Sequence, residues 1–208
     1  GRYAFEQQPP IGQWNLTRFA ETLLPLIEED QEKAVEILTE ALNTFRDLYQ
    51  SAWLTRAAAK IGLSSPSEED HGLVSSLFSL MVSDAADFTQ VFRRLTDVLR
   101  GNGVPVQLLF KNRSSLNDWL AQWQSRLDRK DEIREHVADK MDRINPIYIP
   151  RNHKVEEALD AAVKDGDLAL FNNLLDLVSS PFTERPGLEA YARPAPKSAV
   201  PYQTFCGT

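Results

Sequence analysis

The chain has 208 residues, a length that predicts one domain or two small ones. Hydrophobic residues make up 42% and charged residues 25%, so the chain can bury a core and is not disordered throughout. The net charge of −7 argues against DNA or RNA as a ligand, and the single cysteine, Cys206, excludes an internal disulfide framework and a thiolate zinc site. No run approaches 18 apolar residues, so no membrane-spanning helix is expected.

Helical periodicity dominates the sequence from Trp14 to Val178. The longest amphipathic stretch runs from Asp30 to Ile61, and Gly62 is its expected C-terminal stop. Its apolar residues recur at steps of three and four and predict one continuous buried stripe: Ala34, Val35, Leu38, Ala41, Leu42, Phe45, Leu48, Tyr49, Ala52 and Trp53.

Capping residues and breakers predict the next helix boundaries. Ser65-Pro66-Ser67-Glu68 has the pattern of a capping box with proline at the first helical position, so a helix is expected to begin there. Asp84 is the predicted cap of the following helix, which ends at Gly101-Asn102-Gly103. After a loop or short irregular piece at residues 104–113, Ser115 is the predicted cap of another helix, and Asn145-Pro146 ends the helix after that.

The last predicted helices form a pair, Lys154 to Lys164 and Asp167 to Val178, in which Gly166 suits a left-handed C-terminal position. The pair is similar to one unit of an ankyrin-type array, and a single unit cannot bury its own face. Four prolines crowd the last 23 residues, which predicts an extended strap or a flexible end. The expected architecture is an all-α multi-helix lobe in residues 1–182 and an irregular Pro-rich C-terminal tail in residues 183–208.

Two acidic groups have the composition of metal ligands but fit structural roles better. Glu68-Glu69-Asp70-His71 lies in a first helical turn, where acidic residues complement the helix dipole. Glu132, His136 and Asp139 share one helix face, where charged neighbours are common on an exposed surface. We therefore expect no metal site in this chain.

The remaining chemical signals are weak. The sequence contains none of the patterns GxGxxG, GxxxxGK[ST], HExxH or GxSxG. Trp119 and Trp123 lie four residues apart, a spacing more typical of a core than of a platform for stacked bases. Arg93-Arg94 and Arg129-Lys130 are too short for a nucleic-acid footprint. Cys206, three residues from the end, is either inert or paired with a partner outside this chain.

Two separated blocks of sequence, with three shorter motifs, carry a family resemblance. The blocks are GRYAFEQQPPIGQWNL at residues 1–16 and NPIYIPRN at residues 145–152, and the motifs are Asp165-Gly166-Asp167, Ser180-Pro181-Phe182 and the final Phe205-Cys206-Gly207-Thr208. In this order and spacing they resemble the SelO family, also called YdiU. Its members are kinase-like (pseudokinase) proteins that transfer AMP to other proteins.

The resemblance implies that the chain is the C-terminal part, less than half, of a longer protein. A start at Gly1 without an initiator Met agrees with a fragment or a processed chain. The family's ATP site, its Mg²⁺ ligands and its catalytic residues would all lie upstream, so no catalytic, cofactor-binding or metal-binding residue is expected here. The isolated chain is therefore expected to be inactive, although its parent is an enzyme.

Six positions acquire expected roles from the resemblance. Arg2 and Tyr3 would lie near the active site, where packing of their segment is the alternative role. Trp14 would be a core anchor, and Arg151 and Asn152 would fix the strap before the last helix pair. Cys206 aligns with the family's terminal cysteine or selenocysteine, which implies a redox bond to a second cysteine upstream of Gly1.

The implied function is transfer of AMP from ATP to Ser, Thr or Tyr hydroxyls of target proteins in the cytoplasm of a bacterium. The implied partners are the upstream kinase-like lobe and the target proteins, with neither nucleic acid nor membrane. A chain separated from that lobe should expose an apolar surface and could dimerise through it. The alternative is a helical protein-interaction module without chemistry, as the ankyrin-like pair suggests.

Overall fold

Helices account for most of the described backbone. A computed structural model of the chain describes Ala4 and residues 7–129 and 132–196, and within these residues it contains no strand, so the all-α prediction is confirmed. The helices are α1 (Gln8–Ile27), α2 (Gln31–Lys60), α3 (Asp70–Asp84), α4 (Phe88–Leu99), α5 (Val104–Gln107), α6 (Arg113–Asp128), α7 (Arg134–Ile144), α8 (Asn152–Asp165), α9 (Ala169–Ser179) and α10 (Glu189–Ala192).

The chain divides into two compact units, residues 1–57 and residues 58–208. Helix α2 contributes to both units, because the division falls within its last turn. The boundary predicted at residue 182 stays a prediction.

The first unit is a helical hairpin of α1 and the larger part of α2. Two prolines, Pro9 and Pro10, occupy the first turn of α1, where the missing N–H groups cost nothing. Asp30 begins α2 because its Oδ1 accepts the backbone N–H groups of Glu32 at 3.0 Å and Lys33 at 3.3 Å. A Cβ atom at Gly12 of α1 would lie 3.6 Å from Cζ of Phe45 of α2, and Ala20 and Ala34 are buried. Trp14 is 51% exposed and most of the stripe predicted on α2 is not buried, so both of these expectations are wrong.

The core of the second unit contains the two predicted tryptophans. Trp119 and Trp123 are buried with stacked rings, so the prediction that they belong to the core is confirmed. Each indole N–H also has an acceptor. Trp123 donates to the carbonyl of Ile61 at 2.7 Å and Trp119 to that of Leu73 at 2.9 Å, which ties α6 to the start of this unit and to α3.

Gly62 ends α2 in the left-handed conformation, with φ of +81°, as its sequence position predicts. The site is also crowded. A Cβ atom at this position would lie 2.5 Å from Cγ1 of Val137 and 3.0 Å from Sδ of Met141. The glycine is thus required twice, once by its backbone conformation and once by the close packing of α7.

The capping box predicted at Ser65 is wrong, because α3 begins five residues later, at Asp70. Ser67 and Asp70, rather than Ser65 and Glu68, exchange the two hydrogen bonds at the start of α3. The carboxylate of Asp70 accepts the N–H of Ser67 at 2.8 Å, while the N–H of Asp70 donates to the carbonyl of Ser67 at 2.9 Å. The turn at residues 67–70 therefore replaces the predicted first turn.

Two further predicted caps are displaced by three residues. Asp87, not Asp84, caps α4 by accepting the N–H of Gln90 at 2.9 Å. Asn112, not Ser115, caps α6. Asp84 instead accepts the N–H groups of Lys111 and Asn112 at 2.8 and 2.9 Å, so a long-range contact takes the carboxylate that local spacing assigns to a cap.

The last helix pair forms as predicted. Gly166 adopts a φ of +66° between α8 and α9, and the carboxylate of Asp167 accepts the N–H of Ala169 at 2.8 Å. The described part of the tail contains the four-residue helix α10, whose Ala192 packs in a small cluster with Ile147, Tyr148 and Leu177.

Candidate functional site

Helix α4 carries more buried polar side chains than any other helix in the described part of the chain. Its sequence is amphipathic, yet three polar residues on it, Gln90, Arg93 and Thr96, are buried as well as its apolar face. Buried polar groups need hydrogen-bond partners, so these side chains identify the segments that α4 holds in place.

The N-terminus of α4 is joined to the N-terminus of α8 by a bidentate ion pair. Nη1 and Nη2 of Arg151 each lie 2.9 Å from one carboxylate oxygen of Asp87. Burial raises the pKa of Asp87, but the hydrogen bonds from Arg151 and from the Gln90 N–H, with the charge of Arg151, outweigh it, so the pKa lies below its ordinary value. The structural role expected for Arg151 is thus visible in its contacts.

Arg93 binds the C-terminal end of α7. Its Nη1 donates to the carbonyls of Asp142 at 3.1 Å and Asn145 at 3.3 Å, and it lies 3.0 Å from a carboxylate oxygen of Asp142. A cation at this position complements the unpaired carbonyls and the dipole of the helix end. Asn145 is fully buried and donates in turn to the carbonyl of Lys60 at 2.8 Å.

A second arginine joins α4 to the side of α7. Arg100 contacts three carboxylates that share one face of α7: Nε lies 2.8 Å from Glu135, Nη2 2.7 Å from Asp139 and Nη1 2.8 Å from Asp142. The hydrogen bonds that Arg100 donates to Glu135 and Asp142, together with the charges of these two carboxylates, outweigh the effect of burial and raise the pKa of Arg100. The acidic stripe of α7 is therefore paired with this guanidinium.

The start of the C-terminal tail is held by hydrogen bonds to backbone carbonyls. Gln90 donates through Nε2 to the carbonyl of Ala192 at 2.8 Å, inside the fold. The carbonyl of Pro181 accepts the N–H groups of Ile147 at 2.8 Å and Tyr148 at 3.2 Å. These contacts connect α4, the segment before α8 and the tail, so the position of the tail at Ala192 is determined by α4.

Asp70 and Glu132, two of the residues considered as metal ligands, are paired with cations. Asp70 is 2% exposed and receives two bonds from Arg126, at 2.6 and 2.9 Å. Burial raises the pKa of Asp70, but the hydrogen bonds from Arg126 and Ser67 and the charge of Arg126 outweigh this effect. The pKa of Asp70 therefore lies below its ordinary value. Glu132 lies 2.6 Å from Nζ of Lys140. Within residues 7–129 and 132–196, no cluster of three or more His, Cys, Asp or Glu side chains could hold a metal ion.

An open groove with a volume of about 660 Å³ lies between α3 and α6, beside Arg126 and Arg129. Arg126 is already committed to Asp70 there. The groove does not combine a glycine-rich loop with a helix N-terminus, the arrangement that binds nucleotide phosphates.

The site residues predicted from the sequence, Arg2, Tyr3 and Cys206, lie outside the described residues, so their roles stay predictions. Gln90, Arg93 and Arg100 were missed as anchors, because polar residues on an amphipathic helix are indistinguishable from a solvated face in the sequence. The described helices include none that is both long and apolar enough to cross a membrane.

Comparison with known proteins places these observations in a family. The family model described as "Protein adenylyltransferase SelO" matches residues 1–179. Proteins named "Protein nucleotidyltransferase YdiU" match the whole chain: that of Rhizobium leguminosarum bv. trifolii is 42% identical, that of Geobacillus kaustophilus 43% and that of Chromobacterium violaceum 45%. The chain spans only 42%, 42% and 44% of their lengths, respectively. The chain belongs to the SelO family of protein adenylyltransferases.

Proposed function

We propose that this chain is the C-terminal helical part of an enzyme that transfers AMP from ATP to Ser, Thr or Tyr hydroxyls of target proteins. The observation that carries the proposal is the family match over residues 1–179, together with relatives named nucleotidyltransferases that align along the whole chain. These relatives are bacterial, and we propose the bacterial cytoplasm, where ATP is available, as the location.

In this proposal the sites for ATP and Mg²⁺ lie in the part of the protein outside this chain. The pairing of Asp70, Glu132 and Asp139 with Arg126, Lys140 and Arg100 supports this division, because a carboxylate that neutralises a buried or clustered cation is a poor Mg²⁺ ligand. When bound, Mg²⁺ would neutralise phosphate charge during transfer. The described residues do not fit that ion, and we assign them no step of the reaction.

The role of this chain is structural support and placement of the tail. Helix α4 fixes the segment before α8 through Arg151 and fixes the tail through the bond from Gln90 to Ala192. Cys206 follows Ala192 by 14 residues, so it lies within about 50 Å of that anchor even at full extension.

The redox role of Cys206 is part of the proposal. Formation of a disulfide with an upstream cysteine would remove two protons and two electrons from the thiols, with glutathione disulfide as the oxidant. The test compares AMP transfer by the full-length protein and its Cys206→Ser variant, each with and without reductant. Activity that is indifferent to both changes would refute the redox role and leave the transfer activity standing.

The second candidate is a non-catalytic interaction module, and one observation favours it. The pair α8–α9 exposes apolar side chains on both helices, including Val163 and Leu175, as a lone unit of a repeat array would. Incubation of the full-length protein and a bacterial lysate with Mg²⁺ and ATP labelled at the α-phosphate separates the candidates. Label transferred from α-labelled but not from γ-labelled ATP supports the adenylyltransferase, and no transfer of either label supports the module.

A further inference from the structure

The helical hairpin of residues 7–57 exposes large apolar side chains along both helices. Phe19 is 60% exposed, Leu26 79% and Leu48 66%. Scattered apolar residues on a surface are ordinary, but a contiguous apolar face marks an interaction site. The question is therefore whether these side chains form continuous stripes.

On α1 three exposed apolar residues and the half-buried Leu23 form a stripe. Leu16, Phe19, Leu23 and Leu26 recur at steps of three, four and three residues, which places them on one side of the helix. Ala20, the buried residue of α1, borders this stripe next to Leu16. The apolar side of α1 is therefore buried at one edge only, whereas Phe19 and Leu26 remain exposed.

Helix α2 repeats the pattern with a clear polar contrast. Ile37, Ala41 and Leu48 lie on the same side as the buried Ala34, because Ala41 and Leu48 follow it by about two and four helical turns, yet all three are exposed. Another side is polar along most of the helix, and it carries Glu40 and Asp47. The apolar stripe is thus a distinct feature of the helix rather than a general excess of hydrophobic residues.

The hairpin has very little interior of its own. In residues 7–57 the buried hydrophobic side chains are Ala20, Ala34, Leu54 and Ala57, three of them alanines. So small an apolar interior does not offset the conformational entropy of ordering about 50 residues. The hairpin therefore needs a covering surface in the protein in which it works.

We propose that these two stripes, Leu16–Phe19–Leu23–Leu26 and Ile37–Ala41–Leu48, are the docking face for the part of the same polypeptide that this chain does not include. The inference rests on the proposed function, in which the chain is one part of a longer enzyme. The curated relatives align with all 208 residues but are more than twice as long, so more than half of each lies beyond the alignment. A second copy is disfavoured, because residues 7–57 contain eight acidic and four basic residues and two such surfaces repel each other.

The test is site-specific photo-crosslinking in the full-length protein. The photoreactive amino acid p-benzoylphenylalanine replaces Phe19 or Leu48 in separate variants. Asp47 is the matched control, since it is adjacent to Leu48 but lies on the polar side of α2. After irradiation, mass spectrometry identifies the joined peptides, and a denaturing gel separates crosslinks within one chain from crosslinks between chains.

We expect Phe19 and Leu48 to crosslink, within one chain, to peptides outside residues 1–208, at a yield several-fold above that of Asp47. Crosslinks between two copies would overturn the proposal in favour of self-association. Crosslinks confined to residues 1–208, or yields at Phe19 and Leu48 no higher than at Asp47, would also overturn it. AMP transfer is measured separately on the unmodified protein, so failure of the docking proposal and failure of the proposed activity are distinguishable.

Discussion

The carboxylate of Asp87 caps the N-terminus of α4 and at the same time receives two hydrogen bonds of 2.9 Å from Arg151, which lies 64 residues later in the chain. One side chain thereby satisfies a backbone N–H at a helix start and neutralises a nearly buried guanidinium. Because Arg151 is the residue from which α8 begins, this pair sets the position of the last helix pair relative to α4.

Replacement of Asp87 by alanine should cause a large loss of stability. The variant leaves Arg151 buried without its counter-ion and removes the cap of α4, so we expect the free energy of unfolding to fall by about 3 kcal/mol. Urea unfolding followed by circular dichroism measures the change. The control is Asp160→Ala, which breaks the exposed pair with Lys164 and should cost less than about 1 kcal/mol. Equal losses for the two variants would contradict the role of the Asp87–Arg151 pair.

The same pair predicts how stability depends on pH. The pKa of Asp87 is lower in the folded protein than the unfolded value of about 3.9, so the unfolded state binds more protons near that pH. Its stabilisation is complete above about pH 4 and is lost as the pH falls through the folded pKa. The difference in unfolding free energy between wild type and Asp87→Asn should be constant from pH 7 to about 4 and shrink below it. A difference that grows on acidification would contradict this assignment.

Gly62 and Gly166 both have positive φ, but only Gly62 is crowded by other residues. Alanine substitutions at the two positions therefore distinguish the cost of backbone strain from the cost of a steric clash. Gly166→Ala introduces a Cβ into open space, so only the left-handed conformation is penalised, by about 1 kcal/mol. Gly62→Ala adds a clash with buried Val137 and Met141 and should cost about 2 kcal/mol more. Thermal and urea unfolding of both variants test the prediction. Equal costs would show that α7 moves aside at Gly62.

Loss of the Gln90 side chain should release the start of the tail. In Gln90→Ala the carbonyl of Ala192 loses its donor inside the fold, at a cost of about 1–3 kcal/mol. Because about 1.4 kcal/mol corresponds to a factor of ten, amide hydrogen exchange in residues 185–192 should accelerate roughly tenfold or more. Lys164→Ala, at an exposed position of α8, is the control and should leave this exchange unchanged. Unchanged exchange in Gln90→Ala would mean that Ile147 and Tyr148 hold the tail without Gln90.

A feature of the fold could be predicted from the sequence where the conformation of a single residue determines it. The end of α2 at Gly62 and the hinge at Gly166 follow from one residue's conformational freedom, and both are confirmed. The caps of α3, α4 and α6 were displaced because several acceptable side chains lie within a few residues. Asp84 and Asp87 are chemically equal candidates, and the bonds from Lys111 and Asn112 to Asp84 decide between them.

The anchoring network around α4 could not be predicted in the same way. Arg93 occurs in the sequence as half of a basic pair, and only the fold shows that it binds carbonyls at the end of α7. Side chains of this kind acquire a role from residues about 50 positions away, which periodicity does not report. The family resemblance was predicted from motifs at residues 1–16 and 145–152, and the family match confirms it independently of the fold.

The central claim is that this chain belongs to an adenylyltransferase whose nucleotide site lies outside residues 1–208. Calorimetric titration with ATP and Mg²⁺, carried out in parallel on the full-length protein and on the 208-residue chain, tests it most directly. The account predicts saturable binding by the full-length protein and no measurable heat of binding for the shorter chain. Tight binding by the 208-residue chain alone would contradict the account, because a complete nucleotide site would then lie within it.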